Sequence, residues 1–173
     1  ATLTPFTIDM LYAAKMPPLV PATVAYSTDA AKFYNNVHNR YFRFAYRWVY
    51  ASLEKSTLSP VSIVPQPTGI FHPEKNVAPN VNNLITVAVK TGSTADFIDV
   101  EILGQEFNGT IWGDFFLIQS VSKANAGGLS ATYTFSFLND GIYPSISPGE
   151  SDLRFDYLRD LANTLELLNG NTL

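Results

Sequence analysis

Asp99 and Glu101 are the first residues in the chain whose spacing suits acid–base chemistry. On a strand, side chains two apart point the same way at roughly 7 Å, within the span used by paired glycosidase carboxylates. Ile98, Val100 and Ile102 alternate with them, and no neighbouring stretch builds a cleft to raise one pKa, so we read a solvated strand face. His38 and His72, the only histidines, lack both a Gly-x-Ser-x-Gly nucleophile motif and a His-x-x-x-His metal spacing, and read as loop histidines. Arg40, Arg43 and Arg47 form the one basic cluster. Three arginines in a net acidic chain are a weak electrostatic footprint for phosphate, and salt bridges to cross-strand acids are the preferred reading. Asn108-Gly109-Thr110 fits a glycosylation acceptor, yet Asn-Gly between alternating strands is also the favoured hairpin turn, which we adopt. No glycine-rich phosphate loop opens a helix. We therefore assign no catalytic, cofactor-binding or metal-ligating residue, and expect no cofactor and no small-molecule substrate.

The elements that position these groups are mainly strands. In Tyr41–Tyr50 the even positions Phe42, Phe44, Tyr46, Trp48 and Tyr50 are aromatic, while Arg43, Ala45 and Arg47 fall on the other face, the pattern of a half-buried strand. A sugar-stacking platform could use such a row, but a core face is the plainer use, because each buried large side chain contributes about 1.5–3 kcal/mol. Val61–Val64, bracketed by Pro60 and Pro65, reads as an edge strand and the return leg of a hairpin. Four further strands follow: Ile85/Val87/Val89, Asp96–Leu103 and Tyr133/Phe135/Phe137 from alternation, and Phe115–Val121 as a nearly continuous apolar run. Asn108-Gly109, Gly127-Gly128 and Asp140-Gly141 punctuate them with residues that accept positive φ. The expected fold class is mainly β, an antiparallel β-sandwich.

The flanks differ. Pro5, Pro17, Pro18 and Pro21 break residues 1–39 into short apolar pieces suited to an extended arm or an edge strand. At the other end, Ser151 or Asp152 is placed to cap an amphipathic helix carrying Leu153, Tyr157, Leu158, Leu161, Leu165 and Leu168, with Gly170 as its C-cap. The expected organisation is an N-terminal arm over 1–39, a sandwich over 40–145 and a C-terminal helical segment over 146–173.

Composition bounds the function. A chain of 173 residues holds one domain with a core, and 46% apolar content with 23 aromatic residues lets it fold. Only 15% of residues are charged, against about 25% in ordinary domains, so the surface suits packing against other protein. A net charge of −4 gives no long-range pull toward phosphate, and DNA contact is not expected. There is no cysteine, hence no disulfide or thiolate chemistry. No run of 18 apolar residues and no signal-peptide pattern occurs, from which no membrane span and no secretory route are expected.

Several segments resemble a known family. The aromatic and basic run Tyr41–Tyr50, then Glu54-Lys55-Ser56-Thr57-Leu58-Ser59-Pro60 and Val61–Pro65, resembles the final hairpin of a fibronectin type III-like module. Together with Lys90-Thr91-Gly92-Ser93, Asp99–Leu103, the Trp112–Val121 strand, Phe137-Leu138-Asn139-Asp140-Gly141-Ile142-Tyr143-Pro144 and Glu166-Leu167-Leu168-Asn169-Gly170-Asn171, it is similar to the nozzle, muzzle or stabilization proteins in the tails of crAss-like podoviruses. The similarity runs from about Asn39 to Leu173; the turn after Tyr50 departs from it, reading Ala-Ser-Leu-Glu where Asp-Gly is usual. The resemblance implies a structural, non-enzymatic virion protein made in the bacterial host cytoplasm. Its partners would be other tail or neck proteins and copies of itself in a ring around the channel used in DNA ejection. It also implies that this chain is a segment of a longer polypeptide. A second reading is a fibronectin-like accessory or carbohydrate-binding module of an extracellular enzyme, in which Trp112 or an exposed tyrosine would stack on sugar.

Overall fold

Alternating side chains sort the strands into two antiparallel three-stranded sheets. The computed structural model describes residues 15–66 and 81–152, with the backbone of Leu167–Leu168 and Asn171–Thr172. The strands are β1 (Thr23–Ser27), β2 (Tyr41–Tyr50), β3 (Leu84–Lys90), β4 (Phe97–Phe107), β5 (Trp112–Ser122) and β6 (Thr132–Phe137), followed by a five-residue helix α1 (Pro148–Asp152) and the two-residue strands β7 (Leu167–Leu168) and β8 (Asn171–Thr172). One sheet has the order β1-β3-β6 and the other β2-β4-β5, while β7 and β8 pair with each other. Val24, Ile85, Val87, Val89 and Phe137 of the first sheet meet Phe42, Phe44, Tyr46, Phe97, Val100, Ile102 and Val121 of the second in one buried cluster, a sandwich-like arrangement. Phe137 anchors it, its ring edge-on to Phe42 at 5.1 Å and to Phe44 at 5.3 Å, a geometry that suits the aromatic quadrupoles.

The β2-β4-β5 sheet is buried on its other face too. Ala45, Leu103 and Phe115 form a second cluster with Leu58 and Ile146, against which Val61 and Leu117 pack. This corrects the half-buried reading of β2: Ala45 is wholly buried and Arg47 only 2% exposed. It also explains the nearly continuous apolar run in β5, because Phe115 and Leu117 serve one cluster while Phe116, Ile118 and Val121 serve the other.

Residues 61–64 are not a regular strand. The chain does return along the free edge of β2, starting with the Val49–Lys55 bridge, but it pairs through serines three residues apart. The backbone N–H groups of Ser56, Ser59 and Ser62 donate to the carbonyls of Trp48, Tyr46 and Phe44 at 2.9, 2.8 and 2.7 Å. Their hydroxyls accept from the N–H groups of the same three β2 residues at 3.0, 3.1 and 2.9 Å. Each hydroxyl thus stands in for the carbonyl that an ordinary neighbouring strand would supply, and donates onward to the carbonyl of the next residue. The physical reason is Pro60, which has no N–H for a regular ladder, together with a three-residue period that turns Leu58 and Val61 onto the sheet.

The flanks also depart from expectation. Within the 1–39 segment, Thr23–Ser27 pairs antiparallel with β3, so the edge-strand alternative holds there. Residues 15–20 lie along β2, where the Tyr50 and Tyr46 hydroxyls donate to the carbonyls of Met16 and Val20 at 2.6 and 2.8 Å. The helix start lies four residues earlier than expected. Ser147 is the cap, accepting at Oγ from the Glu150 N–H at 3.3 Å, with Pro148 in the first helical position, where a missing N–H costs nothing. Leu168 lies on β7 rather than on a helix, and Leu153 to Leu165 and Gly170 lie outside the described residues. The turns at Gly109, Gly127 and Gly128 take positive φ as expected, whereas at Asp140-Gly141 it is the preceding Asn139 that does so, with φ of 53°.

Two substitutions test this packing. A Cβ on Gly104 would lie 2.7 Å from Cε2 and Cζ of Phe116, a ring held by stacking on Tyr143 at 5.4 Å. Gly104→Ala is therefore expected to cost about 1–3 kcal/mol in urea unfolding. Ser59→Ala leaves the buried Tyr46 N–H without its acceptor and is expected to cost about 1–3 kcal/mol, whereas Ser59→Thr, which keeps the hydroxyl, loses less.

Candidate functional site

Arg47, Glu101, Lys55 and Glu150 converge on the outer face of the β2-β4-β5 sheet. β2 and β4 are antiparallel with Arg47 directly opposite Glu101 and Arg43 opposite Gln105, so strand register alone makes these pairs. Arg47 Nε and Nη2 both lie 2.7 Å from Glu101 Oε2, and Nη2 donates to Glu150 Oε1 at 2.5 Å. Lys55 Nζ completes the group, 3.1 Å from Glu101 Oε1 and 3.3 Å from Glu150 Oε1. Two cations and two carboxylates therefore neutralise each other beside an apolar cluster. Burial of an isolated charge is costly, and pairing with further hydrogen bonds is what makes it tolerable. The Arg47 guanidinium beside it holds the Glu150 carboxyl below the usual carboxylate range, against the opposing effect of partial burial, with Lys55 adding to the depression.

The arrangement ties three pieces of chain together: the centre of the sheet, the hairpin turn that carries Lys55, and α1, which carries Glu150. Chemically it is a clamp. Glu101 is buried and committed to two cations, which overturns the solvated-face reading of that residue; Asp99, its strand neighbour, is not part of the network. The cause is the cover formed by Leu58, Val61 and Ile146 over the strand face.

The other singled-out residues are scattered. Arg40 forms a two-point ion pair with Glu106 at 2.5 and 2.6 Å in an exposed setting, where such pairs contribute about 0–1 kcal/mol. Arg43 donates to Gln105 Oε1 at 2.6 Å and lies over the Trp112 ring at 4.2 Å. That stacking covers one face of the ring that sugar binding would need. His38 is exposed in a turn and His72 lies outside the described residues. Asn108 forms the β4–β5 turn, its Oδ1 accepting from the N–H groups of Thr110 and Ile111, each at 3.0 Å.

Sequence reasoning missed Lys55 and Glu150 as members of the network, and it missed the serine triplet. A signal existed for both. Ser147-Pro148-Gly149-Glu150 is a capping-box spacing with proline at the first helical position, and Ser56, Ser59 and Ser62 recur at a strict period of three. At the other side of β2 a shallow groove of about 330 Å³ runs past Met16, Leu19, Val20, Tyr46, Trp48 and Lys90. Lys15 secures this N-terminal stretch through Asp96 at 2.9 Å. Burial pushes the Asp96 carboxyl up, but hydrogen bonds from Lys15 and Thr94 and the Lys15 charge prevail and hold it below the ordinary value.

Among the described residues no group of three or more His, Asp or Glu side chains could hold a metal ion, and no helix is long and apolar enough to cross a membrane. Comparison with protein-family models, curated proteins and solved structures yields no match.

The clamp has a defined acid response. Glu150 titrates lower in the folded chain than in the unfolded one, so its stabilisation is complete above the unfolded value of about 4.3 and is lost as pH falls through the depressed folded value. Urea midpoints measured between about pH 3 and pH 6 are expected to drop on the acid side, and Glu150→Gln is expected to flatten that limb. Arg47→Met leaves Glu101 buried with Lys55 alone and is expected to cost about 3 kcal/mol at neutral pH.

Proposed function

We propose that this chain is a non-catalytic assembly module of a phage tail, part of a ring, nozzle or muzzle around the DNA channel, built on a fibronectin- or immunoglobulin-like sandwich. It acts by protein–protein contact in the virion. The observation that carries the reading is the strand order. β1 beside β3 in one sheet, and β2, β4, β5 in the other with β4 and β5 as a hairpin, match the B-E and C-F-G arrangement of immunoglobulin-like sandwiches. β6 lies beside β3, where constant-type domains carry strand D, and the serine segment runs beside β2, where variable-type domains carry C′. This order supports the fold that the resemblance to crAss-like tail proteins implies.

The chemistry of the surface agrees with an assembly role. Arg40, Arg43 and Arg47 are each engaged by a neighbour on β4, so the basic cluster of the sequence is taken up within the sheet. Phe33, Leu53, Ile63, Ile111 and Ile142 are each more than 60% exposed, and apolar side chains outside the core are available to contacts with other protein.

Phage particles purified to homogeneity and analysed by mass spectrometry and cryo-electron microscopy test the proposal. The chain is expected in stoichiometric amount, with density for its sandwich repeated around the tail axis. Its absence from purified particles, or a purified chain that hydrolyses a glycan or peptide substrate, overturns the reading.

A further inference from the structure

The two sheets close their edges differently. In the β2-β4-β5 sheet both edges are covered over part of their length: β2 by the serine triplet, and β5 at Phe115–Leu117 by residues 144–146, through the Leu117 N–H to the Pro144 carbonyl at 2.9 Å and the Ile146 N–H to the Phe115 carbonyl at 2.7 Å. In the β1-β3-β6 sheet, β1 and β6 are the edges, and among the described residues no backbone segment pairs with the outer side of either. An edge left open presents a row of N–H and C=O groups to another chain, and proteins ordinarily blunt it with charge, proline or a bulge. Here β1 reads Thr-Val-Ala-Tyr-Ser and β6 reads Thr-Tyr-Thr-Phe-Ser-Phe, eleven residues without a charge or a proline, and neither strand's pairing with β3 contains a bulge. Lys90 reaches Thr132 Oγ1 at 2.6 Å, at the start of β6 and away from Thr134 and Ser136.

The two edges suit each other. Both pair antiparallel with β3, so they run in the same direction on opposite sides of one sheet. A second copy placed beside the first, with its core on the same side, therefore brings its β1 parallel to the first copy's β6. On the core side the half-buried Tyr133 and Phe135, stacked at 6.2 Å, would face Val24 and half-buried Tyr26. On the outer side the small Thr134 and Ser136 would face Thr23, Ala25 and Ser27, with no like charges opposed. Pairing β6 with β6 about a two-fold axis would leave every β1 open, whereas head-to-tail pairing closes both edges of every copy and generates a ring when the rotation closes.

We propose that copies of this chain assemble head to tail by parallel pairing of β6 of one copy with β1 of the next, making the β1-β3-β6 sheet continuous around the assembly. This deepens the ring reading above, and the test separates the two. The full chain and its Ala25→Lys and Thr134→Lys variants are compared by sedimentation velocity and light scattering over a concentration series, with cooperative thermal unfolding as the check on folding. Both substitutions lie on the exposed face; Thr23→Lys and Ser136→Lys replace any variant that fails to fold. The unmodified chain is expected to form oligomers beyond a dimer, and each variant alone a monomer. A 1:1 mixture of the two is expected to form a dimer and nothing larger, because only the intact β6 of the Ala25→Lys chain and the intact β1 of the Thr134→Lys chain can meet. A monomeric unmodified chain, an Ala25→Lys chain that assembles like the unmodified one, or a mixture that stays monomeric overturns the pairing. A chain that is monomeric in solution yet present in particles removes the edge pairing and keeps the tail assignment. One that is absent from particles yet complements in the mixture does the reverse.

Discussion

A strand that is buried on both faces and also lies at a sheet edge has to find partners for its outward-facing backbone groups, because water is excluded from most of its length. β2 is in this position. Phe42, Phe44, Tyr46 and Trp48 feed the cluster between the sheets and Ala45 feeds the cluster beneath Leu58 and Ile146, while only β4 pairs with it as a regular strand. The serine triplet resolves the conflict. Each buried serine gives a donor and an acceptor to one β2 residue, so the hydroxyl does what a carbonyl does elsewhere, and the intervening residues are free to pack.

The buried ion network follows from the same enclosure. Once Leu58, Val61 and Ile146 cover the outer face, Arg47 and Glu101 cannot remain solvated and must satisfy each other. Their direct cross-strand register allows it, and Glu150 and Lys55 take up the remaining hydrogen-bonding capacity. Buried pairs of this kind are weak contributors to net stability but costly to break. The network therefore fixes where α1 and the β2 turn must lie more than it strengthens the fold. Tyr46 and Tyr50 do the equivalent on the core-facing side, where their hydroxyls hold residues 16–20 along the strand. Burial pushes the Tyr46 hydroxyl up, so it stays a neutral donor through the physiological range.

The two sheets thus have different exterior characters. One is covered along part of both edges and carries the buried Arg47–Glu101 pair on its outer face. The other presents hydroxyl-bearing and small side chains at exposed positions along β1 and β6. A low proportion of charged residues is what allows this division, because there are few cations and acids to place along the strand edges.

The period-two alternation of β2, β3, β4 and β6, the apolar run of β5 and the Asn108-Gly109 turn were legible in the residues themselves, since strand side chains face opposite ways regardless of what lies beyond them. So was the pairing of Arg40 and Arg47 with acids on a neighbouring strand, which follows from composition and register. Four features were not read in full: the second buried face of β2, the non-regular return of residues 55–62, the pairing of Thr23–Ser27 with β3, and the recruitment of Lys55 and Glu150, although the serine period, the edge-strand pattern and the Ser147–Glu150 capping spacing were in the sequence. Except for the return of residues 55–62, whose partners in β2 lie 8 to 18 residues away, a deciding neighbour is distant in sequence, as Glu150 is from Arg47. A local pattern reports which way a side chain points; only the tertiary structure decides whether water or another segment meets it there, because burial and charge pairing are properties of the space that several segments enclose together.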